Sequence, residues 1–265
     1  MLDTKTNYIK KLLKQGEPTA GSWIQTCSPI AAEIAAMTGL DWVLIDMEHS
    51  PLSFEKLLSI VQAVQSKNAV PFVRAPWNDF VAIKRILDTG VYGVLVPYVN
   101  TKEEAEMAVK ACKFPPLGIR GIAVSPRGND YGMSQERIKR ANDEICIIVQ
   151  IETMTAVENI DEILKVEGLD GVFIGPADLS ASMGYLCNPK HPEVQKVIAG
   201  IEEKVKGSDK FLGTVCSGWE EASDLYDRGY QFITVMADGG SIAAVGKERM
   251  EQFYKKFPNR KKYEF

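Results

Sequence analysis

Eight short apolar segments alternating with helix-periodic ones predict one (β/α)8 TIM barrel over residues 1–265, with an N-terminal helix and a long insertion after strand four. Three observations carry this expectation. Segments such as DWVLID (41–46), CIIVQIET (146–153) and GVFIG (171–175) are almost wholly apolar, as strands buried on both faces of a parallel sheet must be. Each is followed by a stretch with helical periodicity, so the chain reads as successive right-handed βαβ units. The 265 residues also suit a barrel that typically occupies about 250 as one domain. No linker, low-complexity run or short repeat divides them.

In chain order, MLDTKTNYIKKLLKQG has the pattern of a charged amphipathic helix without the apolar core of an export signal. AGSWIQT (20–26) is the first predicted strand, and a helix over 29–37 follows with Pro29 in its first turn. Strand two is 41–46, followed by a helix from Ser53 that places Leu57, Leu58 and Val61 on one face. Strand three, 70–73, ends at Arg74 and leads into a helix over 79–87. Strand four is 93–99, and the helix after it spans 102–112. The rhythm then breaks at 114–141, a glycine-rich insertion expected to overhang the mouth of the barrel. Strands five and six enclose a helix over 155–166, where Thr155 and Glu158 suggest a capping box. Helix 192–205, strand 211–216, helix 219–228, strand 232–237 and a last helix to about Phe257 complete the barrel. NRKKYEF is expected to be a frayed tail.

Ligands of parallel sheets gather at the carboxyl ends of the strands, which makes polar residues there candidates for chemistry. Glu152 and Asp178 close two neighbouring strands, so they are either oxygen ligands for a divalent cation or two solvated loop acids. Asp46, Glu48 and His49 follow strand two. His49, one of two histidines, is a candidate general base, with a backbone-bonded loop histidine as the plain alternative. His191 reads as a surface or capping residue. Arg74 can offer parallel donors to a carboxylate or an oxyanion, or serve in a structural ion pair. A cation, Arg74 and His49 together would suit α-proton removal and enolate stabilisation, which is aldol chemistry. Asp88, in ILDTG, is a possible partner for His49 that spacing alone does not establish. ADGGS (237–241) opens a helix after strand eight as phosphate-binding barrels do, yet Asp238 there would repel an anion.

Composition narrows the partners. Formal charge is −4 with scattered basic residues, which disfavours nucleic acid. Five cysteines without CxxC spacing suggest neither a disulfide framework nor a thiolate zinc site. With no apolar run of membrane-spanning length, a cytoplasmic protein handling small molecules is expected.

WVLIDMEHSP, PFVRAPWND, PPLGIRG, VQIET and GVFIGPADLS, in this order, resemble the HpcH/HpaI family of metal-dependent class II pyruvate aldolases. The likeness runs over nearly the whole chain. It implies a (β/α)8 barrel assembled as a homo-hexamer, a trimer of dimers in which the last helix packs on a neighbour. It further implies cleavage of a 4-hydroxy-2-oxo acid to pyruvate and an aldehyde. By motif, Glu152 and Asp178 would bind Mg, Mn or Co, His49 would be the base, and Arg74 would stabilise the enolate oxygen. Asp88 would raise the basicity of His49, with Asp46 as a further partner. Gln150 and the backbone at Ala177 and Asp178 would hold pyruvate. The runs GTVCSG and VMADGG depart from the family pattern, so Val215, Cys216 and Met236 are expected to reshape the aldehyde side. Arg127, in the insertion, is either a partner for a distal carboxylate or a solvated loop arginine. The competing readings are a citramalyl- or malyl-CoA type lyase, disfavoured by the lack of a basic cluster for the CoA phosphates, and a non-catalytic metabolite-binding barrel.

Overall fold

The structure, a computed structural model, describes residues 6–133 and 135–260; the predicted tail beyond 260 and the first five residues of the N-terminal helix pattern lie outside them. Among the described residues eight parallel strands pair in sequence order and β8 closes back onto β1. The order is α1 (Tyr8–Lys14), β1 (Thr19–Ile24), α2 (Pro29–Met37), β2 (Trp42–Asp46), α3 (Phe54–Gln65), β3 (Val70–Arg74), α4 (Phe80–Asp88), β4 (Gly93–Val96) and α5 (Lys102–Cys112). A 3-10 turn (Arg127–Gly132) and α6 (Glu136–Glu144) precede β5 (Cys146–Ile151), α7 (Met154–Glu158), α8 (Ile160–Ile163), β6 (Gly171–Ile174) and α9 (Pro176–Ser182). The chain ends with α10 (Pro192–Lys206), β7 (Phe211–Val215), α11 (Trp219–Asp227), β8 (Phe232–Ala237) and α12 (Asp238–Lys256). No helix among the described residues is long and apolar enough to cross a membrane.

Local chemistry sets these boundaries. Ser28, Ser53, Asp79 and Thr101 each accept a backbone N–H of the first turn of the helix they precede, satisfying a donor with no partner inside the helix. β4 stops at Val96, short of the expected 93–99, because Pro97 has no N–H to give and Tyr98 turns the chain at φ 57. The expected single helix over 155–166 is instead α7 and α8, broken at Asn159, whose side chain donates to Asn100 O at 2.9 Å. Thr153, extended at φ −135, is the cap; Thr155 lies inside the helix, so the Thr155–Glu158 box does not form.

The barrel interior is aromatic. Trp42, Phe72, Phe173, Phe211 and Phe232 are buried inside it, and Trp42 stacks on Phe232 with centroids 3.6 Å apart. Such filling needs a glycine opposite: a Cβ on Gly21 would sit 2.1 Å from the Trp42 ring. Ile9 and Leu13 of α1 plug the end of this core away from the strand carboxyl termini. Lys10 reaches past them to Ile145 O at 2.7 Å and Asp170 at 2.9 Å.

The insertion lies on that same end, which corrects the expectation that it overhangs the mouth. It leaves the end of α5, and a helix running back from its strand delivers the chain to the amino ends of the strands. There Arg120 pairs with Asp88 at 2.9 Å, Arg127 donates to Thr89 O at 2.8 Å, and Arg137 donates to Gly90 O at 3.2 Å, all at the end of α4.

Candidate active site

Asp46 and Arg74 end β2 and β3 in register with each other. Arg74 Nε donates to Asp46 Oδ1 at 2.9 Å and Nη2 to Oδ2 at 2.6 Å, a two-point clamp that fixes the guanidinium plane. Trp23 Nε1 and Gln25 Nε2 also donate to Oδ2, at 3.1 and 3.2 Å, and the Trp23 ring lies 4.5 Å from the guanidinium carbon. Burial opposes ionisation of Asp46, but the bonds and charge of Arg74, with the Trp23 bond, outweigh it and hold the carboxyl below its ordinary range.

The third arm of Arg74 faces a different acid. Nη1 stands 2.8 Å from Glu48 Oε2, an ion pair without hydrogen-bond alignment, so that buried oxygen has no hydrogen bond. Burial raises the Glu48 carboxyl; Arg74 and His49 oppose this, while the charges of Asp46 and Asp178 add to it. His49 Nε2 is 3.8 Å from Glu48 Oε1, and its side chain is 62% exposed at the mouth. Asp46 does reach residue 49, but through the backbone N–H at 3.3 Å rather than the ring. Glu48 is therefore the carboxylate nearest the imidazole.

Across the mouth, Glu152 follows β5 and is 2% exposed. Its Oε1 accepts the backbone N–H of Tyr98 at 2.7 Å, and its Oε2 accepts Gln150 Nε2. Burial lifts the carboxyl to about 7; those two hydrogen bonds pull it down, and the charges of Asp178 and Glu48 push it up. Asp178 lies in the first turn of α9 and faces the mouth. Gly175 permits this packing, since a Cβ there would stand 2.7 Å from Glu152 Oε2. Gln150 Oε1 is buried without a hydrogen-bond partner.

A cavity of about 270 Å³ joins these groups; Trp23, His49, Arg74, Gln150, Ala177 and Asp178 line it on one side and Val215, Cys216 and Met236 on the other. A cavity of about 810 Å³ between α10 and α11 shares Pro176 and Val215 with it but contains none of the candidate chemical groups, so chemistry rather than size assigns the site. Asp88 and Arg127 stand apart from it. Both lie at the opposite end of the barrel, Asp88 paired with Arg120, and neither is a neighbour of His49 within one chain. His191 caps α10, accepting from Glu193 N at 3.3 Å. Trp23, Gln25, the Tyr98 N–H and Gly175 bear no functional signature in the sequence, and Glu48 stands beside His49 there without a role of its own. A tryptophan at the carboxyl end of a strand was the signal for Trp23.

A sequence model of the HpcH/HpaI aldolase/citrate lyase family matches residues 19–244. The chain belongs to this family. It is 41% identical over 248 residues to a 4-hydroxy-2-oxo-heptane-1,7-dioate aldolase of Escherichia coli, covering 93% of this chain and 95% of the relative. It is 42% identical over 238 residues to the Klebsiella pneumoniae aldolase of the same name, covering 89% and 90%. An HpcH/HpaI aldolase/citrate lyase family protein from Burkholderia cenocepacia superposes with a TM-score of 0.90 at 32% identity, covering 94% of this chain and 99% of that one. The HpcH/HpaI relationship thus spans the whole barrel and not the strand ends alone.

Proposed function

We propose that this chain is an aldolase that reversibly cleaves a 4-hydroxy-2-oxo acid to pyruvate and an aldehyde. The observation that carries the reading is one cavity holding Arg74, His49, Gln150 and Asp178, with Glu152 beside it. The curated relatives, named as 4-hydroxy-2-oxo-heptane-1,7-dioate aldolases, support a substrate of that class.

The acids suit a divalent cation. Glu152, Asp178 and Glu48 face one another closely enough for their charges to raise Glu152, and Gln150 Oε1 points into the same region unpartnered. Among the described residues no group of three His, Cys, Asp or Glu side chains is arranged to hold an ion. The motifs VQIET and GPADLS assign Glu152 and Asp178 as the protein ligands, and two carboxylates suit a hard cation keeping positions for water and substrate oxygens. When bound, Mg, Mn or Co would supply a Lewis acid to the 2-oxo carboxylate end of the substrate.

The remaining chemistry belongs to the side chains. His49, at the mouth, takes the proton of the 4-hydroxyl as the C3–C4 bond breaks, and the bonding pair passes into the pyruvate enolate. Arg74 Nη1, the arm not committed to Asp46, faces the developing enolate oxygen and donates to it in place of its contact with Glu48. C3 of the enolate then takes a proton from solvent water to give pyruvate and exposed His49 returns its proton to solvent, while Gln150 and the backbone at Ala177 and Asp178 hold the pyruvate carboxylate. The aldehyde half lies against Val215, Cys216 and Met236. Asp88 could serve His49 only from a second copy. A homo-hexamer built from dimers is part of this reading, supported by α12, which beyond Asp238 buries no residue on its own barrel and exposes Ile242 and Val245.

The test is pyruvate release from 4-hydroxy-2-oxoheptanedioate with and without a chelator. Metal-dependent release supports the reading; no release from any 4-hydroxy-2-oxo acid in a panel removes it.

A further inference from the structure

Asp238 is the first residue of α12 and, among the described residues, the only buried one in that helix. A carboxylate there would ordinarily cap its own helix, and one such bond exists, from Gly239 N to Oδ1 at 2.7 Å. The other donors come from the end of the neighbouring strand β1. Gln25 N donates to Oδ1 at 2.9 Å, Thr26 N donates to Oδ2 at 3.1 Å, and the Thr26 hydroxyl donates to Oδ2 as well. No cation pairs with Asp238 among the described residues, so its charge is held entirely by N–H and O–H groups and the helix end.

The segment held in this way leads into the active site. Gln25 has its backbone fixed by Asp238 while its side-chain amide donates at 3.2 Å to Asp46 Oδ2, the oxygen that also accepts Arg74 Nη2. A register shift in the β1–β8 pairing at Gly21/Ser22 brings Trp23 level with Ala237, and so Gln25 and Thr26 beside Asp238. Cys27 follows at φ 57, a left-handed conformation that a non-glycine residue keeps only where its surroundings impose it.

We propose that Asp238 is a positioning residue for the aldolase site: by clamping Gln25 and Thr26 it sets the Gln25–Asp46 contact and thereby the aim of the Arg74 guanidinium. This rests on the functional reading above. It also gives the acid in ADGGS a role that anion binding does not. The proposal makes the start of α12 part of the catalytic geometry, although no atom of Asp238 needs to meet substrate.

The experiment is a double-mutant cycle in the intact protein, with wild-type aldolase activity established first. Asp238→Ala should lower kcat at least tenfold, with far-UV circular dichroism and Mn²⁺ affinity unchanged, because Arg74 is misaimed while Glu152 and Asp178 are untouched. Gln25→Ala should produce a similar loss, and the double variant should be no worse than the poorer single one, since both act on one contact. If Asp238→Ala does not fold, Asp238→Asn, which sets an NH₂ against these donors, is read in the same way. A folded Asp238 variant with wild-type kcat, or fully additive losses with Gln25→Ala, overturns the proposal. An inactive wild type would instead overturn the functional reading.

Discussion

Glu152 is the residue on which the acid side of the mouth turns, because its burial and the charges of Asp178 and Glu48 make ionisation costly. Glu152→Gln or Asp178→Asn should reduce turnover to background, as neutral ligands hold a hard cation poorly; full turnover by either variant, or by chelated enzyme, would contradict the assignment. The Glu152 carboxyl titrates near 7, above its ordinary value of 4.5, so the protonated form is the one the fold favours. Its contribution to stability is therefore fully present below about pH 4.5 and is lost as the pH rises through about 7. Denaturant titrations of metal-free protein from pH 5 to 8 should show that decline, and added Mg²⁺ should remove it by stabilising the carboxylate. A flat profile, unchanged by Mg²⁺, would count against it. His49→Ala should lower kcat by about 10² to 10⁴-fold with little change in KM, the usual weight of a general base. At this scale the sequence showed Asp46 and Arg74 at the ends of strands and Glu152 and Asp178 just beyond them, because an apolar run interrupted by a charge is visible in one dimension. It did not show that Asp46 holds the His49 backbone while Glu48 faces the imidazole, since that depends on how a four-residue turn folds.

At the scale of elements, the insertion and the end of α4 form one unit. Arg120 is 2% exposed, lies over the Phe114 ring at 4.5 Å, and has Asp88 as its charge partner. Burial draws the guanidinium below its ordinary value, opposed by the Asp88 bond and charge. Asp88→Asn would leave a buried cation uncompensated and should cost on the order of 3 kcal/mol, seen as a lower urea midpoint at unchanged slope. An unchanged midpoint would mean the pair is solvated. The side on which the insertion lies was legible in principle, because 114–141 follows a helix and so must start at the amino ends of the strands. The strand and helix positions were legible through periodicity and caps such as Ser53 and Asp79. The break at Asn159 was not, because the side-chain bond that competes there comes from a residue 59 positions away.

For the whole molecule, closure of the barrel follows from eight buried strands in sequence order, and it alone brings residues 46, 74, 152 and 178 to one mouth. Assembly is the part that residue patterns did not show. α12 exposes Ile242, Val245 and Met250, and α2 exposes Ile30, Ile34 and Met37, apolar area that an assembled form would cover. Light scattering at micromolar concentration should give a hexamer, or at least a dimer, and Ile242→Asp with Val245→Asp should shift it toward smaller species; a wild-type monomer would contradict this. The apolar Val215, Cys216 and Met236 wall should admit several short aldehydes in the synthetic direction, since such walls discriminate by about 1 to 3 kcal/mol per methylene.

A mouth that makes and consumes a pyruvate enolate must exchange pyruvate methyl protons with deuterated solvent, which NMR follows without any choice of aldehyde. Exchange should require a divalent cation, fall sharply in Arg74→Ala and His49→Ala, and be lost on chelation. Absence of exchange in enzyme that still releases pyruvate, or exchange indifferent to chelation, would contradict an enolate mechanism.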